Sequence, residues 1–316
     1  MMNLAPLIIF GYDRPIHISN MIHSLSKNSE AIDSEAFIFI DGANDDTDIE
    51  AHQKVINKVS EKLPFKKTHV NVRKDNFGCK KNIIEGISDV LDTRNHAIIL
   101  EDDLMLGKHF LNYMNNSLNM YKDHPEIWHI NGYSLPQFFK NSKKSSISTL
   151  VQPWGWGTWS DRWDVFIKNR YYEKNLISDL NPLDRKRFNF YNLATYWENA
   201  LKLDEIGSNS IWDAYWYQTI FLNKGMTLFP QVSHVQNMGF DGTGLHCGEE
   251  NIFKTEINKR KTVSYPTKYK ESKIYKLNAY IFYLKINISN YIKFHKPKFK
   301  NLKSISTWVY SKFQNN

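Results

Sequence analysis

Only two of the 316 residues are cysteine, Cys79 and Cys247. Two thiols make no disulfide framework and have no zinc-ligand spacing, so a reduced compartment is the natural reading. No apolar run reaches the roughly 20 residues that a bilayer-spanning helix needs. The opening residues carry no basic segment ahead of their short apolar run, so they do not read as a secretion signal. There is no Gly-x-Gly-x-x-Gly after the first apolar run, which disfavours a dinucleotide fold, and no Walker A sequence. The expected localisation is cytoplasmic, with any membrane contact peripheral.

What is present is a hydrophobic fraction of 41% and an aromatic fraction of 14%, with nine Trp and seventeen Tyr. That is enough apolar material for one large α/β domain or two modest ones. The aromatic excess fits either a large core or a carbohydrate-contacting cleft. The net charge of +8 is unevenly placed: residues 265–316 hold eleven Lys against one Glu, about +10, which leaves the rest near −2. A near-neutral body argues against a nucleic-acid partner for the whole protein. In the tail, Lys268, Lys270, Lys273, Lys276, Lys285, Lys293, Lys296, Lys298, Lys300 and Lys303 interleave with Tyr, Phe, Ile and Leu. That pattern fits a helix on an anionic membrane surface, or a basic helix packed against the domain.

Apolar runs at Leu7–Phe10, Ala36–Ile40, His69–Val72 and Ala97–Leu100 read as strands, with helical patterns between them from Pro15, over 48–63 and from Gly78. Strand alternating with helix at this spacing predicts a parallel sheet, an α/β fold. A helix through Phe110 and Leu118, a strand over Ile127–Asn131, helical character over 172–206, an aromatic helix from Ile211 and a strand over Met226–Phe229 should follow.

Each of the first four strands ends in polar residues: Asp13 and Arg14, Asp41 and Gly42, Arg73 and Asn76, and Glu101-Asp102-Asp103. Open α/β sheets bind ligands at that carboxyl edge. Three adjacent carboxylates repel unless a cation compensates them, and their hard oxygens suit Mg²⁺ or Mn²⁺ together with substrate phosphates. Further on, Pro153-Trp154-Gly155-Trp156-Gly157-Thr158-Trp159 offers Trp154, Trp156 and Trp159 as walls of a sugar site; a core turn with packed rings is the other reading. Asp213 sits among Trp212, Tyr215, Trp216 and Tyr217. Burial there would raise its pKa and suit it to base work, while a helix-start cap is the alternative.

This ordered set resembles the metal-dependent glycosyltransferases of the GT-A fold, in particular N-acetylglucosaminyltransferase I and bacterial enzymes of surface-polysaccharide synthesis. The resemblance rests on Tyr12-Asp13-Arg14, Asp41-Gly42, Glu101-Asp102-Asp103-Leu104, Pro153 to Trp163, Ile211-Trp212-Asp213 with Trp216, and Ser233-His234. It covers roughly residues 5–247; the family's His in the third loop is missing, and the last 50 residues or so match nothing in it. It implies a GT-A domain over 1–264, with a nucleotide-sugar half to about 107 and an acceptor half beyond, followed by a basic extension over 265–316. It implies Asp103 as the metal ligand, with His246 as a late second one. Asp102, Glu101, Arg14, Asp41, Trp212, Ser233 and His234 would hold the nucleotide sugar, beside Arg73 and Asn76 of the third loop. Asp213 would be the catalytic base of an inverting transfer. A UDP-sugar is the implied donor and a glycan or lipid-linked glycan the implied acceptor. A non-catalytic carbohydrate-binding protein and a sugar nucleotidyltransferase remain the competing readings; the second would want a Gly-rich basic loop after strand one.

Overall fold

The computed structural model describes residues 4–139, 144–208, 210–242 and 252–295. Four strands, β1 (Leu7–Gly11), β2 (Glu35–Ile40), β3 (Lys67–Val72) and β4 (His96–Glu101), alternate with helices α1 (Pro15–Ser26), α2 (Ile49–Ser60) and α3 (Gly78–Leu91). All four strands run parallel, in the order β3-β2-β1-β4. β1 and β4 are apolar at nearly every position because both of their faces are covered. Leu7, Ile9, Ile98 and Leu100 belong to one core with α1; Ile8, Phe10, Ala97 and Ile99 belong to the other with α3. β3 is the sheet edge, and its Val70 and Val72 remain exposed, which accounts for its weaker pattern.

Beyond β4 come β5 (Leu104–Leu106), α4 (Phe110–Tyr121), β6 (Ile127–Asn131), β7 (Ser146–Ser148), β8 (Trp156–Trp159) and α5 (Ser160–Lys168). Then follow α6 (Pro182–Phe188), α7 (Tyr196–Leu203), α8 (Asp213–Leu222), β9 (Met226–Phe229), β10 (Val235–Asn237) and α9 (Lys273–His295). The main sheet has eight strands, ordered β3-β2-β1-β4-β8-β6-β9-β7; β5 and β10 form a separate antiparallel pair. The whole is a mixed α/β fold with a largely parallel central sheet between helical layers.

Two expectations change. The Trp-Gly run is a central strand, since β8 pairs antiparallel with β4 and with β6. The 172–206 region is not one helical stretch: the consecutive Phe190, Tyr191 and Asn192 have positive φ and separate α6 from α7. In the C-terminal helix α9, Tyr275, Ala279, Phe282 and Tyr283 are buried in the same core as α1 and α4, so this helix packs against the domain.

Candidate active site

The carboxyl ends of β1, β2 and β4 and the segment after β3 open into one cavity of about 890 Å³. Strand direction brings Asp13, Arg14, Asp41, Asn76 and Glu101-Asp102-Asp103 to its wall; Trp154, Trp212 and Asp213 reach it from the second half of the chain. Among the described residues, seven carboxylates line this cavity against a single guanidinium, that of Arg14.

Arg14 stands just ahead of Pro15, the first residue of α1, so the strand-to-helix turn aims it along the sheet edge. Its guanidinium grips Asp102 through two nitrogens and reaches Asp103 Oδ2 at 3.4–3.5 Å. Burial works against the Arg14 charge, but Asp102, Asp103 and Glu101 outweigh it and raise its pKa. One cation does not balance the acids. Burial, followed by the charges of Asp103, Asp213 and Asp102, pushes the Glu101 carboxyl well above its usual range. Burial also raises Asp102 and Asp103, with Arg14 opposing it in both. The site is short of positive charge, and carboxylate oxygens are the donors that Mg²⁺ or Mn²⁺ takes together with phosphate and water. Among the described residues no three His, Cys, Asp or Glu gather closely enough to hold an ion by themselves. The carboxylate oxygens of Asp102 and Asp103 are the donor type that fits a hard divalent ion. His246 lies outside the described residues.

The second and third loops are clipped together. Asp41 accepts hydrogen bonds from the Gly42 and Phe77 amides, at 2.9 and 2.8 Å. Asn76 Nδ2 donates to the Gly42 carbonyl at 2.6 Å. A Cβ on Gly42 would stand 2.4 Å from the Asp75 carbonyl carbon, so glycine is what lets the loops meet. Arg73 does not line the cavity: its guanidinium lies between the Phe39 and Phe77 rings, and its Nε donates to Asn82 Oδ1 at 3.2 Å. Asn82 is the one that reaches the wall.

Asp213 is the first residue of α8. Its Oδ1 accepts from the neighbouring Ala214 amide at 2.9 Å, and no side chain caps the helix across a turn. Burial raises its pKa from 3.8 to about 6, with the Ala214 amide opposing. The helix start is fixed from below by stacked rings: Trp212 on Trp156 at 5.6 Å, and Trp156 on His129 at 4.9 Å. Trp216 Nε1 donates to His129 Nδ1 at 3.1 Å, leaving Nε2–H to donate to the Gln152 carbonyl at 3.2 Å. Burial drops the His129 pKa to about 3, so the ring stays neutral near pH 7.

Several sequence candidates fall elsewhere. Trp156 and Trp159 are core residues, 0% and 3% exposed, on opposite faces of β8; Trp159 Nε1 donates to the Leu118 carbonyl. Of the three proposed wall tryptophans only Trp154 faces the cavity. Ser233 and His234 are also buried, 0% and 1% exposed. Ser233 Oγ donates to the Val235 carbonyl, and His234 stacks on Tyr113 at 4.7 Å, with its pKa pushed down to about 3 by burial. Their segment serves the acids indirectly. β10 pairs with β5 just behind Asp103, Met238 N donates to the Asp103 carbonyl at 2.7 Å, and a Cβ on Gly239 would meet Asp103 Oδ2 at 2.5 Å. Asn237 and Phe240 are the residues of this loop that line the cavity. Sequence reasoning also missed Cys79, Gln152, Leu193 to Asn199, and the Tyr283, Ile286, Asn287 and Asn290 face of α9. Only the 3–4 spacing of the last group was visible as a signal.

A scan against protein-family models and a search of curated proteins each found no match. Among solved structures, S. aureus TarS overlaps 53% of this chain and 30% of its own, at 12% identity and a TM-score of 0.36. Residues 1–349 of TarS overlap 54% of this chain and 50% of their own, at 13% identity and the same score. Mannosyltransferase PcManGT from Pyrobaculum calidifontis, in complex with GDP-Man and Mn2+, overlaps 52% of this chain and 46% of its own, at 12% identity and a TM-score of 0.36. The chain matches half or less of the length of each.

Proposed function

We propose that this protein is a metal-dependent glycosyltransferase that moves a sugar, with inversion, from a nucleoside diphosphate donor to a glycan acceptor of surface-polysaccharide synthesis, with a UDP-sugar as donor. The observation that carries the reading is the pairing, in one cavity, of Glu101-Asp102-Asp103 at the carboxyl edge of β4 with the desolvated carboxylate of Asp213.

Asp103 and Asp102 would hold a divalent ion, which when bound neutralises the charge of a departing diphosphate. Arg14 fixes both carboxylates, and Asp41 with Asn76 shapes the adjoining loops around the nucleotide. Asp213 takes the proton of the acceptor hydroxyl as that oxygen bonds to the anomeric carbon. The bond from that carbon to the diphosphate breaks, and its electron pair leaves with the nucleoside diphosphate. A carboxylate with a pKa of about 6 is mostly ionised at neutral pH yet more basic than an ordinary Asp, which suits a general base. The Trp212–Trp156–His129 stack keeps it in place.

The test is a panel of nucleotide sugars with Mn²⁺ present or chelated, reading nucleoside diphosphate release. Metal-dependent release from one UDP-sugar is expected. Release of pyrophosphate would assign a nucleotidyltransferase instead, and no binding of any nucleotide sugar would assign a carbohydrate-binding protein.

The outer side of α9 supports peripheral attachment to the anionic inner face of a membrane. Ile274 and Leu277 are exposed, Ile281, Leu284 and Ile288 continue their stripe, and the exposed Phe138 and Phe139 lie beside it, with Lys285 over the Phe138 ring. Among the described residues no helix is long and apolar enough to cross a bilayer. Binding to phosphatidylserine vesicles, but not to phosphatidylcholine vesicles, is the expected outcome; equal binding or none would remove the attachment.

A further inference from the structure

The cavity extends well beyond the acids, and among the described residues its far wall carries no charged side chain. α9 presents Tyr283, Ile286, Asn287 and Asn290 to it, positions that recur on one helix face. α7 adds Asn199, and the segment before β8 adds Trp154. Every charged lining residue is at or before Asp103 in sequence, apart from Asp213.

This wall is held with care. Phe190, Tyr191 and Asn192 all have positive φ, at 46°, 59° and 63°, and turn the chain into the Leu193 to Asn199 wall. Three consecutive non-glycine residues in that region need outside support, and α9 supplies it. Asn287 Nδ2 donates to the Leu193 carbonyl at 2.9 Å. The Tyr283 ring meets Phe190 at a tilt, with centroids 5.8 Å apart, and Lys276 Nζ donates to Tyr191 Oη at 3.2 Å. Tyr283 also ties the wall to the catalytic side, because its hydroxyl accepts from Gln152 Nε2 at 3.3 Å, and the Gln152 carbonyl is the one His129 holds.

We propose that this end is the acceptor subsite, and that it selects an uncharged saccharide over one bearing phosphate or carboxylate near the reacting sugar. The proposal rests on the glycosyltransferase reading. Amide side chains at Asn199 and Asn290 match sugar hydroxyls, and the Trp154 ring matches an apolar sugar face. Among the described residues, an anionic acceptor would find no cation on this wall and seven carboxylates in the rest of the cavity. Asn287 is a positioning residue here, acting through the Leu193 turn.

The experiment uses the full chain, the donor found in the nucleotide-sugar panel, and methyl glycosides of neutral hexoses and N-acetylhexosamines beside the matching uronic acids and 6-phosphates. The neutral glycosides should be preferred at least tenfold in kcat/KM. Asn199→Ala with Asn290→Ala should raise the acceptor KM at least fivefold while the donor KM moves less than twofold. Asn290→Lys should shift the preference toward the 6-phosphates at least tenfold. Asn287→Ala should raise acceptor KM, and Asn287→Gln should restore part of it. Wild-type preference for the anionic glycosides, or an acceptor KM indifferent to both amides, overturns the subsite while leaving donor chemistry intact. A wild-type protein that binds no nucleotide sugar removes both readings.

Discussion

The two ends of the cavity are built by opposite means. The acidic end comes from residues that directly follow parallel strands, so the sheet itself delivers them and they lie within a few positions of each strand's last residue. The far end comes from α7, α9 and the segment before β8, elements nearly 140 residues apart along the chain, and no sheet geometry delivers it. The acidic end carries a charge excess that calls for a cation; the far end is neutral and aromatic. A fixed, strand-born site suits a chemical step, while a site assembled from helices can be altered without disturbing it.

The comparison breaks most visibly at Asp213. Replacing Asp213 with Asn should lower the transfer rate about 10³-fold, within the range of a lost general base, and leave donor affinity within a few-fold. It should also stabilise the fold. The folded pKa lies near 6 rather than 3.8, so keeping the carboxylate charged costs stability that is fully present below about pH 4 and lost as pH rises through 6. Asn should recover about 2–3 kcal/mol at pH 7, read as a higher melting temperature. Near-normal turnover, or a lower melting temperature, would sink the role.

Asp103→Asn should weaken Mn²⁺-dependent donor binding about 10²-fold, close to 2.7 kcal/mol, with acceptor KM unmoved in calorimetry and initial-rate assays. Equal losses at both ends would mean that the ends are not separable.

pH should separate them as well. With Asp213 near 6, kcat at pH 5 should sit about tenfold below its plateau. Acceptor KM should stay flat over the same range, since burial holds the Tyr283 hydroxyl neutral there. A flat kcat profile would remove Asp213 as the base. The smallest effect is expected from Gly42→Ala, which pushes the second loop off the third. It should cost about 1–3 kcal/mol in denaturant melts and weaken donor binding, again without touching acceptor KM.

How much of this could be read in advance follows the same division. The first four strands, their order in the chain and the acids behind β4 were legible because continuous apolar runs ending in polar residues are a local signal. β5, β7 and β10 have three residues each, too few for any period to show. β8 hid behind its glycines: Trp156 and Trp159 are three apart, so they point to opposite cores and mimic no alternation. Ser233 and His234 were site candidates through the resemblance, yet Ser233 Oγ bonds the Val235 carbonyl and the His234 ring stacks on Tyr113 inside the protein. The face of α9 toward the cavity was visible as a spacing, but its destination was not, since that depends on Asn287 meeting Leu193 and Tyr283 meeting Phe190.

The position of α9 also has a consequence in time. As the chain is made from its N-terminus, the acids behind β4 and then Asp213 exist long before Asn290 does. A nascent or prematurely ended polypeptide would hold the acidic side of the cavity without its α9 wall. The buried Tyr275, Ala279 and Phe282 tie completion of the core to that same helix, so the cavity and the core are finished together.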